Sequence, residues 1–309
     1  MSARQHPRGL RLSLPATSAN LGPGFDAVGL AISMHLTVEA HAAPAFAITA
    51  SGRDAELCAV LENNLIVDTY ADMLHRAGAA VIPLHLTIHN EIPLGMGCGS
   101  SAAALLAGVA LAGHFGGLKL TDTDLVAEAS RREGHPDNVA ACWYGGFTVS
   151  AASDGKIASA TFPGDPAWEM LLAVPAASLA TRTARALLPE SYSKADTVFN
   201  VQRVALLTAA FAQGRLDLLS TAMQDRMHQP YRADACPLLK TLLPLASEPL
   251  SLGNKFAGIA LSGAGPSVLL FLADGTSLLA AETRLAALLD ASVEVLPLRI
   301  AGGAETTLL

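Results

Sequence analysis

The sequence predicts an α+β chain built as two closely coupled domains, residues 1–161 and 162–309. Three observations predict it. Strand-like runs alternate irregularly with helix-like ones, and no segment repeats. The length of 309 residues exceeds the roughly 250–300 at which single cores stop growing. A cluster of chain breakers, Phe162-Pro-Gly-Asp-Pro166, interrupts the pattern near its middle.

In chain order, Leu12–Leu14, Ala27–His41 and Phe46–Ala50 read as strands, the second long and partly alternating. Leu65–Ala77 has apolar residues at helical spacing and stops at Gly78. Leu84–His89 alternates strictly, as a strand with one buried face does. A glycine-rich turn leads into an alanine-rich helix, Ser100–Leu118, and Thr121 to Asp124 looks like a capping box opening a helix that runs toward Arg132. Gly146–Ala151 and Lys156–Thr161 form a hairpin around Asp154-Gly155. Beyond the breakers come a strand at Glu169–Val174 and helices at Thr183–Leu188, Lys194–Gln213 and Leu238–Ala246. Strands at Phe256–Leu261 and Val268–Leu272, a helix at Ser277–Leu289 and a strand at Val293–Ile300 complete the pattern.

Composition excludes several classes of function. With 51% apolar and 15% charged residues the chain buries a sizeable core and is not disordered. A net charge of −7 without a basic run argues against a nucleic-acid partner. The first residues, Met1 to Leu14, carry Arg4, Arg8 and Arg11 but no apolar run of signal-peptide length. The cysteines Cys58, Cys98, Cys142 and Cys236 are far apart, unlike a zinc ribbon or a disulfide framework. A cytoplasmic protein is the expectation. Ser100–Leu118 approaches the length of a membrane span, but alanine and glycine rather than leucine fill it, so a buried helix and no membrane contact are expected.

The strongest local signal is Pro93-Leu-Gly-Met-Gly-Cys-Gly-Ser-Ser-Ala-Ala103. Glycines at alternate positions let the backbone turn several N–H groups toward one point. The helix that follows adds its own N-terminal N–H groups and dipole, which suits a phosphate chain. The segment contains neither G-K-[ST] nor G-x-G-x-x-G, so neither a Walker A loop nor a Rossmann cofactor is supported. A glycine turn packed tightly on a sheet is the plainer alternative. Two further glycine segments, Pro15-Ala-Thr-Ser-Ala-Asn-Leu-Gly-Pro-Gly-Phe-Asp26 and Ser262-Gly-Ala-Gly-Pro-Ser267, flank it in sequence, and Glu133-Gly-His-Pro-Asp-Asn138 lies between.

Together these motifs, in this order from Pro15 to Ser267, resemble the GHMP small-molecule kinases, and the first resembles the branch that phosphorylates L-homoserine. The resemblance implies a two-domain fold: an N-terminal domain like ribosomal protein S5 domain 2 and a ferredoxin-like C-terminal domain. It implies ATP and Mg²⁺ as cofactors, L-homoserine as the acceptor, a step toward threonine, and a homodimer. It places Pro93, Gly95, Gly97, Gly99, Ser100, Ser101 and Ala102 around the ATP phosphates, with Cys98 where the family usually has leucine. Asn64 corresponds to an asparagine beside the adenine site. Asn20, Asp26, His135, Thr181, Arg185, Arg232 and Gly263 fall on the substrate side. Two arginines can grip a carboxylate through paired N–H groups while Asp26 holds an ammonium. Read without the resemblance, each arginine is an ordinary surface group. For the metal, Ser101 and a glutamate are implied, Glu133 being favoured and Glu128 competing with it.

Asn138 stands where several family members place an aspartate base, and an amide cannot take a proton in that role. The expectation is direct attack of the acceptor hydroxyl on the γ-phosphorus, oriented by Asn138, with Asp137 adjacent in sequence. His85 and His89, without a nearby cysteine or acid, make a poor metal site. Trp143 and Trp168 read as core or interface anchors. Rival readings are a GHMP kinase for mevalonate or shikimate, and a non-catalytic homologue that binds nucleotide or amino acid.

Overall fold

A computed structural model describes residues 8–177, 181–247 and 255–309. Its strands form two sheets, and the first is made by pairing segments that the sequence separates widely. β1 (Leu10–Asn20) and β2 (Gly24–Ala42) are a long antiparallel pair at its centre. β3 (Ala47–Gly52) runs parallel to β4 (Leu84–Asn90), which pairs with the second half of β2. The first half of β2 pairs instead with β5 (Phe147–Ser153), whose hairpin partner is β6 (Lys156–Phe162). Thus β2 serves two partners along its 19 residues. β1 extends well past the expected Leu12–Leu14 because a register shift between Pro15 and Ala16 absorbs the missing N–H of Pro15.

One face of this sheet is covered by helices. α1 (Ala55–Cys58) is a single turn, followed by α2 (Leu65–Arg76), α3 (Ser100–Gly116), α4 (Asp122–Glu133) and α5 (Asp137–Tyr144). The α4 start has the expected capping box, Thr121 and Asp124 bonding each other's backbone N–H groups. α3 lies between its neighbours with ten buried positions, Ala102, Ala103, Leu106 and Leu111 among them. Its lack of polar residues therefore reflects packing inside the protein, and among the described residues no helix is long and apolar enough to cross a membrane. α5 was not anticipated: it is eight residues long, begins inside the G-H-P-D-N segment and stops at Gly145.

The second half supplies α6 (Thr181–Ala186), α7 (Lys194–Gln213), and the short helices α8 (Leu219–Ala222), α9 (Gln229–Arg232) and α10 (Pro237–Leu242), then α11 (Leu278–Ala286). Its sheet is β7 (Met170–Val174), β8 (Phe256–Leu261), β9 (Val268–Leu272) and β10 (Glu294–Leu298), all antiparallel in the order β10-β7-β9-β8. The two central strands, β7 and β9, are apolar throughout because both their faces are covered. Met170, Leu172, Leu269 and Phe271 join the main core with Phe211 and Trp168, whereas Leu171, Ala173, Leu270 and Leu285 form a second core. Trp168 is an edge-on neighbour of Phe211 and Phe271, a core anchor. Trp143 packs partly buried against the same core. The chain then returns to the first sheet, where β11 (Glu305–Leu308) pairs with β1. An exposed four-residue strand carries no apolar alternation, so the sequence pattern could not reveal it.

Candidate functional site

The three glycine segments converge. Thr17 in β1 donates its backbone N–H to Cys98 O, and Gly263 N–H donates to Ala19 O. Asn20 Nδ2 donates to Gly263 O over 2.8 Å, and Ser262 Oγ donates to Gly97 O over 2.8 Å. The contact is so close that a Cβ on Gly97 would stand 2.2 Å from Ser262 O, and Gly97 also has φ +75°. Alanine there would be strained twice over. Gly95 and Gly99 share that left-handed conformation, so the alternate glycines turn as their spacing predicts, and Gly99 is the N-cap of α3.

Two cavities meet at Ser100 and Ser101, which line both. One, of about 330 Å³, is mostly apolar, with Leu57, Val60, Ile66 and Ile92 in its wall. Asn64 borders it, but its amide is committed to the fold. Oδ1 accepts from Ile66 and Val67 N–H as the cap of α2, and Nδ2 donates to Val60 O and, at 3.3 Å, to Cys58 O. Exposed Leu57, Val60 and Leu65 form its rim. The other cavity, of about 220 Å³, is polar and lined by Gly95, Gly97, Gly99, Asn20, Asp26, Glu133, His135, Asn138, Arg185, Arg232 and Gly263. Pro93 is buried outside both cavities, and the Ala102 side chain belongs to the core, so neither offers its side chain to a ligand. Thr181 begins α6, and its side chain lies outside the described residues. Cys98 is buried, and burial pushes its thiol up to about 12, so it fills leucine's place as an uncharged apolar group.

The polar cavity is unevenly paired. Arg185 makes two N–H bonds to Asp26, at 3.0 and 2.5 Å. Arg232 is 1% exposed, yet among the described residues it pairs with no carboxylate. Its guanidinium reaches Ala184 O, Gly263 O and His228 Nδ1, at 3.2–3.3 Å. Burial and the nearby Arg185 charge lower its pKa from the usual arginine value. Both guanidiniums lie 5.4 Å from the Phe25 ring centroid. A buried cation short of an anion is an open site for one.

At the opposite wall, Asp137 is 2% exposed; its Oδ1 accepts from Asn138 N–H at 2.7 Å and lies 2.5 Å from His135 Nδ1. Burial opposes charge on His135, but Asp137, Glu133 and Asp26 outweigh it and raise the imidazole pKa. Ser101 Oγ donates to Glu133 Oε2 over 2.7 Å, a hydroxyl and a carboxylate beside the glycine loop, and these hard oxygen donors suit Mg²⁺. Glu128 is held elsewhere by Arg76, Arg131 and Arg132. Its carboxyl, though partly desolvated, is pulled down to about 2 by Arg131 and Arg132. His85 and His89 stay exposed on β4 beside Thr49 and Ser51.

The description "GHMP kinases N terminal domain" matches residues 64–146. Homoserine kinase of Solibacter usitatus is 45% identical over 265 residues, 85% of either chain. The chain belongs to the homoserine kinase family, within the GHMP kinases. Homoserine kinase of Deinococcus radiodurans is 41% identical over 83% of this chain and 82% of its own. The crystal structure of homoserine kinase from Cytophaga hutchinsonii, 24% identical, superposes with a TM-score of 0.76 over 99% of this chain and 100% of that one, a likeness of fold. The expected GHMP kinase fold is thus the one observed, its second half carrying the four-stranded antiparallel sheet.

Sequence reasoning left four members of this homoserine kinase family site unassigned. Thr17 bonds Asn138 (Oγ to Oδ1, 2.7 Å), Phe25 faces both arginines, His228 sits behind Arg232, and Asp137 anchors His135. Thr17 and Phe25 lay inside a motif already singled out, and His228 directly precedes Gln229-Pro-Tyr-Arg232.

Proposed function

We propose that the protein transfers the γ-phosphoryl group of ATP to the side-chain hydroxyl of L-homoserine, giving ADP and O-phospho-L-homoserine. The observation that carries this reading is Arg232, a buried guanidinium that meets no carboxylate among the described residues, next to the Asp26–Arg185 pair at the end of the glycine loop. A zwitterion satisfies all three groups. Its carboxylate takes Arg232 and Arg185, its ammonium takes Asp26, and one ion pair is exchanged for others without leaving a charge unpaired. An acid without an ammonium, such as mevalonate, would offer Asp26 nothing in place of the Arg185 its carboxylate draws away.

The apolar cavity takes the base, and the α3 N-terminus with the loop N–H groups takes the phosphates. Glu133 and Ser101 would hold Mg²⁺, which supplies charge neutralisation on the phosphates. Asn138 orients the acceptor hydroxyl. The hydroxyl oxygen bonds to the γ-phosphorus, the bond to the bridging oxygen of ADP breaks, and the hydroxyl proton passes to a phosphoryl oxygen. A loose transition state makes this possible without a side-chain base. Asp137 Oδ1 is already occupied by His135 and Asn138 N–H, which fits a structural anchor better than a base. We further place the enzyme in threonine formation, in the cytoplasm, as a homodimer.

The test is ADP release with ATP, Mg²⁺ and a panel of alcohols, the product identified by phosphorus NMR. Homoserine is expected to turn over far faster than 4-hydroxybutyrate, mevalonate or shikimate. Turnover of mevalonate or shikimate in preference, or ATP binding with no turnover of homoserine, overturns the reading.

A further inference from the structure

Asn138 is an amide at the reacting end of the polar cavity, and an amide presents either a donor or an acceptor depending on how its plane is turned. Thr17 decides which. Its Oγ donates to Asn138 Oδ1 over 2.7 Å, with Thr17 fully buried and Asn138 8% exposed. The same threonine is held from behind, since its backbone N–H donates to Cys98 O in the glycine loop. A Cβ on Gly99 would stand 1.9 Å from Thr17 Oγ and 3.2 Å from Asn138 Oδ1, so the last glycine of the loop leaves only enough room for this bond. With Oδ1 engaged, Nδ2 is the end left for the cavity. Among the described residues its one hydrogen bond is long, 3.3 Å to Asp137 Oδ1.

We infer that Thr17 is a positioning residue that holds the Asn138 amide with its N–H groups toward the acceptor hydroxyl. This rests on the phosphoryl transfer proposed above and adds a direction to it. Asn138 donates to the hydroxyl oxygen, which leaves the hydroxyl proton free to point at the phosphoryl oxygens that receive it. Were the amide to turn over, Oδ1 would accept that proton's hydrogen bond and draw it away from the phosphate. Threonine at this position then has a chemical use, since valine has the same shape and no donor.

The test is a double-mutant cycle on the full chain, with Thr17→Val, Thr17→Ser and Asn138→Ala, reading kcat and both KM values. Thr17→Val is expected to lower kcat about tenfold or more. KM for ATP should stay within about twofold, because the base and phosphate contacts are untouched. Thr17→Ser should restore most of the rate. In the Asn138→Ala background, Thr17→Val should change kcat by less than about twofold, because the group it positions is gone. An equal loss in both backgrounds, or wild-type kcat in Thr17→Val, overturns the inference; Thr17→Ala carries the same cycle should the valine variant not fold. No turnover of homoserine by the unsubstituted protein would instead overturn the reaction itself.

Discussion

At the apolar end of the cleft, Asn64 spends its whole hydrogen-bonding capacity on the fold, two acceptor and two donor contacts. At the polar end Arg232 is more deeply buried and, among the described residues, has only long contacts to neutral acceptors. The first cavity is shaped by groups that are already satisfied, so it offers surface and little else. The second contains groups whose best partners are absent, and a ligand supplies them. Stability and binding should therefore separate at one end and coincide at the other.

The largest separation is expected at Arg232. Arg232→Met should raise KM for homoserine on the order of 100-fold or more, because one partner of a buried charge pair is lost. KM for ATP should hardly move. Thermal stability should hold or rise, since the variant replaces a buried unpaired cation by an apolar chain of similar length. Equal rises in both KM values would remove Arg232 from the acceptor end.

The two glutamates sharpen the contrast between binding and structure. Glu133→Gln should cost about 10- to 100-fold in kcat and shift the Mg²⁺ requirement upward, as loss of a charged ligand does. Glu128→Gln should leave the Mg²⁺ dependence in place and lower Tm by a few degrees, because it breaks the cluster with Arg76, Arg131 and Arg132. Titrations of activity against Mg²⁺ and melting curves for both variants decide it. The reverse pattern would move the metal to Glu128.

Asn64→Ala should act on stability first. Loss of the α2 cap costs about 1 kcal/mol, and freeing the loop at Cys58 and Val60 should raise KM for ATP only a few fold. KM for homoserine should be unchanged. A homoserine effect as large as the ATP effect would mean that the two cavities are not separable.

What the sequence discloses follows the same division. The glycine-loop end rests on local order: glycines at alternate positions, two serines and a helix that follows directly, all within Pro93–Ala103. Spacing alone makes the turn and the helix start legible, with a phosphate site and a packing turn both open. The polar end gathers Asn20, Asp26, His135, Arg185 and Arg232 from across the chain, and only the resemblance to a family could bring them onto one site. The Arg185–Asp26 pair escaped even that, because expectation assigned each to a ligand rather than to the other. β11 went unread because its residues are exposed and alternate with nothing. α5 was hidden because its first turn is also the motif that carries Asp137 and Asn138.

A graded effect, set by pH rather than by substitution, is expected on stability, again at the polar end. His228 is fully buried, its Nε2 lies 2.7 Å from Gly22 O, and its Nδ1 lies 3.3 Å from Arg232 Nη1. Neutral imidazole donates to the first and accepts from the second. Desolvation, chiefly, and the Arg232 charge lower its pKa, against opposing pulls from Asp225, Gly22 O and Asp26. The unfolded chain therefore binds a proton that the folded chain refuses. Stability is fully present above the unfolded value of about 6.5 and declines as pH falls below it, by at most about 1.4 kcal/mol per pH unit. Unfolding measured between about pH 7 and 5.5 should show that slope, a window above the usual carboxylate range. His228→Gln has an amide that can serve both contacts without titrating, so its slope should be flatter. If the variant and the unsubstituted protein lose stability in parallel across that window, His228 is not the group that refuses the proton, and the neutral bridge between Gly22 and Arg232 is wrong.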